Sequence, residues 1–187
     1  MQINIDKKSG IFITIIAALL VVIAAISLNS RDDGALTDSA MNGSDEMFLQ
    51  MMIPHHEQAV EMSNLALAKS KNPEVLKLAQ QIKDGQSAEI TQMNSWLDGA
   101  GMPADMGHEM GHDMGGMMGP EDLTKLQSAT GTAFDKLFLT SMIAHHEGAL
   151  HMVLMIKDSN EPKLLTLRDN IIKTQSAELE TMKKLLG

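Results

Sequence analysis

Apolar side chains recur at intervals of three and four residues along most of this chain, which is the period of an amphipathic helix. Turn-forming residues at Asn72-Pro73, Gly99 to Gly101 and Ser159 to Pro162 interrupt this pattern. Because proline and glycine end helices, each interruption marks a helix boundary. The pattern predicts four long helices and one short one, over about 45–71, 73–99, 121–129, 132–158 and 162–187.

The second half of this helical region repeats the first. The stretch "MMIPHHEQAVEM" from Met51 returns as "SMIAHHEGALHM" from Ser141, and "QSAEITQM" from Gln86 returns as "QSAELETM" from Gln175. Each half therefore predicts one helical hairpin. A single hairpin cannot bury its apolar faces alone, so the two together predict an all-α four-helix bundle over residues 45–187.

Each repeat carries two adjacent histidines at a defined place in the apolar pattern. His55 and His145 fall on the stripe of their helices that should face the bundle interior. His56 and His146 lie one residue later, about 100° further round the helix, at its flank. The first histidine of each pair is therefore predicted to be buried in the core.

The other two long helices carry polar residues on their own inward stripes, namely Gln86, Glu89, Gln175 and Glu178. Buried polar groups need hydrogen-bond partners, and the histidines of the neighbouring helix are the obvious ones. The carboxylates would then accept from the imidazole rings and orient them as ligands. If the inward-facing stripe of each helix is instead shifted by one residue, the two carboxylates face solvent.

The residue types around the histidines favour a soft metal. The chain has 17 methionines and no cysteine. Methionine at helical spacing more often fills a core than binds a metal, but four histidines in two equivalent places, two of them on apolar seams, incur the cost of desolvation twice. Neutral imidazole together with thioether favours copper over calcium or magnesium, with Cu(I) preferred to Cu(II) and Ag(I) as a further candidate.

The linker between the hairpins, residues 102–119, is a second candidate metal site. Its methionines and histidines recur every four residues. Its interspersed glycines disfavour a free helix, so we expect a segment that orders around a soft metal. The alternative is a plain flexible linker. The candidate ligands in this linker are Met106, His108, Met110, His112 and Met114.

The N-terminal region predicts a membrane anchor. Ile11 to Leu28 contains no charged residue and follows two lysines. We therefore expect residues 1–9 in the cytoplasm, a transmembrane helix over 10–29, and a polar tether over 30–44. This places the bundle in the periplasm or outside the cell, anchored to the inner membrane. The alternative is a cleaved signal peptide and a secreted protein. The net charge of −9 argues against a nucleic-acid partner.

The doubled "M-I-x-H-H-E-x-A" followed by "Q-S-A-E" resembles the family called domain of unknown function 305. The resemblance covers about residues 44–187. It implies a ferritin-like four-helix bundle, copper binding outside the cytoplasm and a role in copper resistance. On that basis the candidate ligands in the bundle are Met51, Met52, His55, His56, Met62, Met142, His145, His146 and Met152.

Three functions follow from these patterns. The first is a copper-binding protein, not an enzyme, that sequesters copper or hands it to a copper-transfer protein. The second is a ferritin-like dinuclear metal oxidase, which normally uses Glu-x-x-His motifs that the predicted long helices lack. The third is an interaction module that responds to metal or pH.

Overall fold

The computed structural model describes residues 41–104 and 115–187, and all regular structure within them is helical. This confirms the all-α prediction for the described part of the chain. The third predicted long helix is shorter than expected, since it ends at Met152 and tightens into a 3-10 turn over Val153–Ile156. The α-helices are α1 Gly43–Lys69, α2 Pro73–Gly99, α3 Pro120–Ser128, α4 Gly131–Met152 and α5 Pro162–Leu186.

The starts of the helices follow local sequence signals. The side chain of Asn42 accepts hydrogen bonds from the first turn of α1, and Asp45 closes the capping box by accepting from the Asn42 amide. Helix α1 therefore includes the last two residues assigned to the tether. Helices α2 and α5 both begin with a proline, where the missing N–H costs nothing.

The long helices pack as two hairpins, as the duplication predicts. Helix α1 packs against α2, and α4 packs against α5. The hairpins meet through α1 and α4, with a smaller contact between α2 and α5, and α3 rests on α4. The two histidine-bearing helices therefore face each other at the centre of the bundle.

The bundle core consists of two apolar clusters with a belt of polar side chains between them. Along each long helix, residues of one cluster come before this belt and residues of the other come after it. We call the belt the polar layer. All its members are buried, and they are His55, His56, Gln86, Glu89, His145, His146, Gln175 and Glu178.

No helix within residues 41–104 and 115–187 is long and apolar enough to cross a membrane. The predicted anchor at 10–29 lies outside the described residues, as does nearly all of the tether. The anchor therefore stays a prediction.

Candidate metal centre in the polar layer

The first histidines of the two pairs, here called the seam histidines His55 and His145, contact each other with tilted rings. The ring centroids of His55 and His145 are 3.7 Å apart, with 36° between the ring planes. Both side chains are fully buried. Their burial agrees with the periodicity of the sequence, and their contact follows from the packing of α1 on α4.

The flanking histidines are each bound to a carboxylate of their own hairpin. His56 Nε2 donates to Glu89 at 2.8 Å, and His146 Nε2 donates to Glu178 at 2.7 Å. Both histidines are fully buried, and the two glutamates are only 6% and 4% exposed. The two carboxylates are therefore buried and accept from the imidazole rings, whereas their role in orienting the rings as metal ligands stays a prediction.

The seam histidines donate to backbone carbonyls instead. His55 Nε2 donates to the Gly115 carbonyl at 3.0 Å, and His145 Nε2 donates to the His55 carbonyl at 2.9 Å. A carbonyl oxygen can only accept, so Nε2 of each ring carries the proton. Burial lowers the pKa of His55 to about 3 and lowers the pKa of His145 well below its usual value. Both rings are therefore neutral near pH 7, with a lone pair on Nδ1.

The Nδ1 atoms of all four histidines are buried and find no hydrogen-bond partner among residues 41–104 and 115–187. Within the same residues, the side-chain nitrogen and oxygen of Gln86 and of Gln175 are likewise buried and without a partner. Leaving buried polar atoms unpaired costs free energy, and native structures leave few of them so. The polar layer therefore presents four imidazole nitrogens in the interior of the bundle, and such atoms are of the kind that bind metals.

Histidine and carboxylate alone do not complete a metal site. Within the described part of the chain, no three histidine, aspartate or glutamate side chains stand in an arrangement that could hold a metal ion. Thioethers are the remaining donors, and each apolar cluster that borders the polar layer contains three buried methionines that lie on the long helices. These are Met52, Met93 and Met152 in one cluster, and Met62, Met142 and Met182 in the other.

Two of these methionines were absent from the ligand set predicted from sequence. Met93 and Met182 are fully buried and occupy equivalent places in the two hairpins. The available signal was their spacing of four residues after Glu89 and Glu178. Met51, by contrast, is only partly buried and packs on the outside of its cluster.

The candidate ligands of the linker, residues 106–114, lie outside the described residues. Their role therefore stays a prediction. Gly115 directly follows Met114 in the sequence, and its carbonyl is the one that His55 contacts. The second described range therefore begins beside the polar layer.

Comparison with known proteins identifies relatives over most of the chain. The family model described as "Domain of unknown function (DUF305)" matches residues 45–186. A DUF305 fragment from Deinococcus radiodurans is 30% identical, with a TM-score of 0.73, and the match covers 78% of this chain and 97% of that one. A DUF305 protein from Streptomyces coelicolor, described as a candidate secreted protein, is 29% identical, with a TM-score of 0.69 and coverages of 74% and 89%.

Another similar structure is CopM in its Cu(II)-bound form. It is 35% identical, with a TM-score of 0.66, and the match covers 82% of this chain and 97% of CopM. CopM structures with Cu(I) and with silver bound also match. Protein L153 of Acanthamoeba polyphaga mimivirus is 43% identical over 54 residues, which are 29% of this chain and 36% of that protein. The match therefore spans about a third of this relative.

Proposed function

Because the chain belongs to the DUF305 family, we propose that it is a copper-binding protein that uses the polar layer of its bundle as a metal site. The observation that carries this proposal is the set of four buried imidazoles whose Nδ1 atoms have no partner in the part of the chain that the structure describes. A bound soft metal would satisfy these atoms and remove the cost of burying them unpaired. The copper- and silver-bound structures of CopM support the choice of metal.

The donor set favours Cu(I) over Cu(II). Buried thioethers border the polar layer on both sides, and thioether is a soft ligand that suits Cu(I). Hydrogen bonds from Nε2 to Glu89 and Glu178 would orient His56 and His146 and raise the basicity of their Nδ1 atoms. The same chemistry would accept Ag(I).

We propose that the protein holds copper outside the cytoplasm, either to sequester it or to pass it to a transfer protein. The apolar run at Ile11 to Leu28 would anchor it to the inner membrane, with a cleaved, secreted form as the alternative. The linker methionines and histidines would serve as a second store of copper. The similar structure from Streptomyces coelicolor, described as a candidate secreted protein, supports a location outside the cytoplasm.

The direct test is competition for Cu(I) between the full-length chain and a coloured chelator. Alanine substitution of the four histidines of the polar layer should abolish the high-affinity component of binding. His151, which is exposed on α4, provides the matched control, and His151→Ala should compete like the unchanged chain. Equal competition by the quadruple variant and the unchanged chain would show that copper is not bound in the polar layer.

A linker variant separates the two proposed stores. Replacing Met106, Met110 and Met114 with leucine should lower the number of copper ions bound and leave the tightest binding intact. If this variant instead loses all of its binding, the metal site lies in the linker and the assignment to the bundle is wrong.

We propose that the protein binds copper without catalysing a reaction. Both buried carboxylates of the polar layer already accept hydrogen bonds from histidines, whereas ferritin-like oxidases use several inward glutamates as metal ligands. Oxygen consumption by the copper-loaded chain with a reductant tests this directly. A rate above that of free copper, abolished in the quadruple histidine variant, would favour the oxidase.

A further inference from the structure

A short backbone segment crosses α1 and α4 beside the polar layer. This segment, Gly115–Met118, is here called the strap. The side chain of Gln58 binds it with both of its polar atoms: the Met118 amide donates to Gln58 Oε1 at 2.7 Å, and Gln58 Nε2 donates to the Met118 carbonyl at 3.0 Å. A two-point contact of this kind fixes the position of the segment along the helix.

Glycines bring the strap into direct contact with α4. A Cβ added to Gly148 would overlap the carbonyl oxygen of Gly115, and a Cβ added to Gly116 would overlap the carbonyl of Ala144. Gly116 also has a φ of 79°, a conformation that favours glycine. The strap can therefore lie at this depth only because Gly148 has no side chain.

The Gly115 carbonyl that rests on Gly148 is also the acceptor for His55 Nε2. The two residues that contact the strap occupy equivalent positions in the duplicated sequence. Gln58 and Gly148 each lie three residues after the first histidine of their pair. In the first half, the Gln58 side chain forms hydrogen bonds to the strap. In the second half, Gly148 has no side chain, so the strap can pack directly against the helix. The strap therefore engages both halves of the repeat in different ways.

We propose that Gln58 and Gly148 are positioning residues that hold the Gly115 carbonyl against His55 and thereby keep the Nδ1 atom of that ring free to bind metal. This role rests on the proposed function, because it concerns one of the proposed ligands. With the strap in place, Nε2 must carry the proton. Once the strap is displaced, either ring nitrogen can carry it, and Nδ1 is no longer reserved as a ligand.

The first experiment measures the tautomer of His55 in the full-length, metal-free chain by two-bond ¹H–¹⁵N NMR after ¹⁵N labelling of histidine. The unchanged chain should show His55 protonated only at Nε2. Gly148→Ala should displace the strap and give a mixture of tautomers or rapid exchange of the Nε2 proton. His56 and His146 should be unaffected, since each donates to a glutamate.

Two matched controls distinguish displacement of the strap from a general effect of substitution. Gly85 also lies inside a long helix, but a Cβ there would meet nothing within 4 Å, so Gly85→Ala should leave His55 unchanged. Gln58→Ala should reproduce the effect of Gly148→Ala without adding bulk. Gln80 binds only the surface residue Asp84 among the described contacts, so Gln80→Ala is its control.

The second experiment measures Cu(I) affinity in the same variants. Loss of the orienting contact should weaken binding about 10- to 100-fold in Gly148→Ala and Gln58→Ala and leave both controls unchanged. Unaltered His55 signals in both strap variants would overturn the inference even if copper binds as proposed. Failure of the unchanged chain to bind copper would instead refute the proposed function, and the NMR measurement would still decide the role of the strap.

Discussion

In the two hairpins, the second histidine of the pair has an equivalent hydrogen-bond partner, whereas the first histidine has a different one. The second histidine of each pair donates to a glutamate of its own hairpin, at 2.8 Å in the first half and 2.7 Å in the second. The first histidines have unrelated acceptors. His55 donates to the strap, whereas His145 donates to the backbone of His55 itself.

This difference arises from where each partner lies in the chain. A histidine and a glutamate within one hairpin are duplicated together, so their contact is duplicated with them. The strap occurs only between the hairpins and has no second copy to serve His145. The bundle therefore keeps two equivalent His–Glu pairs around a central His55–His145 contact that is not symmetric.

Among single substitutions at neutral pH, the largest expected effect comes from removing the carboxylates. Glu89→Leu should lower the free energy of unfolding by about 2–3 kcal/mol, because it leaves the Nε2–H of His56 buried without an acceptor. Glu178→Leu should cost about the same if the two pairs are equivalent. Urea denaturation of the metal-free chain measures both.

The conservative variants sharpen this test. Glu89→Gln and Glu178→Gln keep a carbonyl that can accept from the histidine, so each should cost less than its leucine counterpart. Costs that differ by several kcal/mol between the halves would show that the two pairs are not equivalent.

The pH dependence of stability tests the central pair. The pKa of His55 is lowered to about 3 by burial, assisted by the neighbouring His56 and His146, and the pKa of His145 is lowered for the same main reason. The unfolded chain therefore binds protons that the folded chain does not. Stability should be highest above about pH 6.5 and should fall by roughly 1 kcal/mol per pH unit for each histidine as the pH drops below 6.

Single substitutions show how much His55 and His145 each contribute to the pH dependence of stability. His55→Gln and His145→Gln should each flatten the pH profile by about one proton, because glutamine does not titrate. Denaturation midpoints between pH 7 and pH 4 provide the measurement. A profile that stays as steep in both variants would mean that other groups cause the loss of stability.

The strap should contribute a smaller share of stability than the glutamates. Gln58→Ala removes two hydrogen bonds to Met118 and should cost about 1–2 kcal/mol. Gly148→Ala should cost at least as much, since a Cβ there would overlap the backbone carbonyl of Gly115 and displace the strap from both Gln58 and His55. The preference of a helix for alanine over glycine offsets only about 1 kcal/mol of this cost. Thermal unfolding of both variants against Gly85→Ala measures the difference, and a smaller cost for Gly148→Ala than for Gln58→Ala would indicate that the strap moves aside without losing these contacts.

Periodicity and duplication predict which helices form and that the histidines of each hairpin lie near the glutamate of the same hairpin. Each of these contacts joins the two helices of one hairpin, and the hydrophobic periodicity of both helices identifies the residues that face each other. The ring contact between His55 and His145 depends on how the hairpins dock, which no local pattern encodes. The strap was missed because its contacts use backbone carbonyls and glycines, and these leave no mark in the hydrophobic pattern.

The smallest expected effect concerns a difference on the surface of the two halves. Lys183 pairs with Glu147 at 3.0 Å in the second hairpin, whereas Asn94 stands at the position equivalent to Lys183 in the first. Both charged side chains are more than half exposed, so solvent screens the pair. Lys183→Asn should therefore change the free energy of unfolding by less than about 0.5 kcal/mol. A larger loss would mean that the outer faces of the hairpins, as well as the strap, contribute to the asymmetry of the bundle.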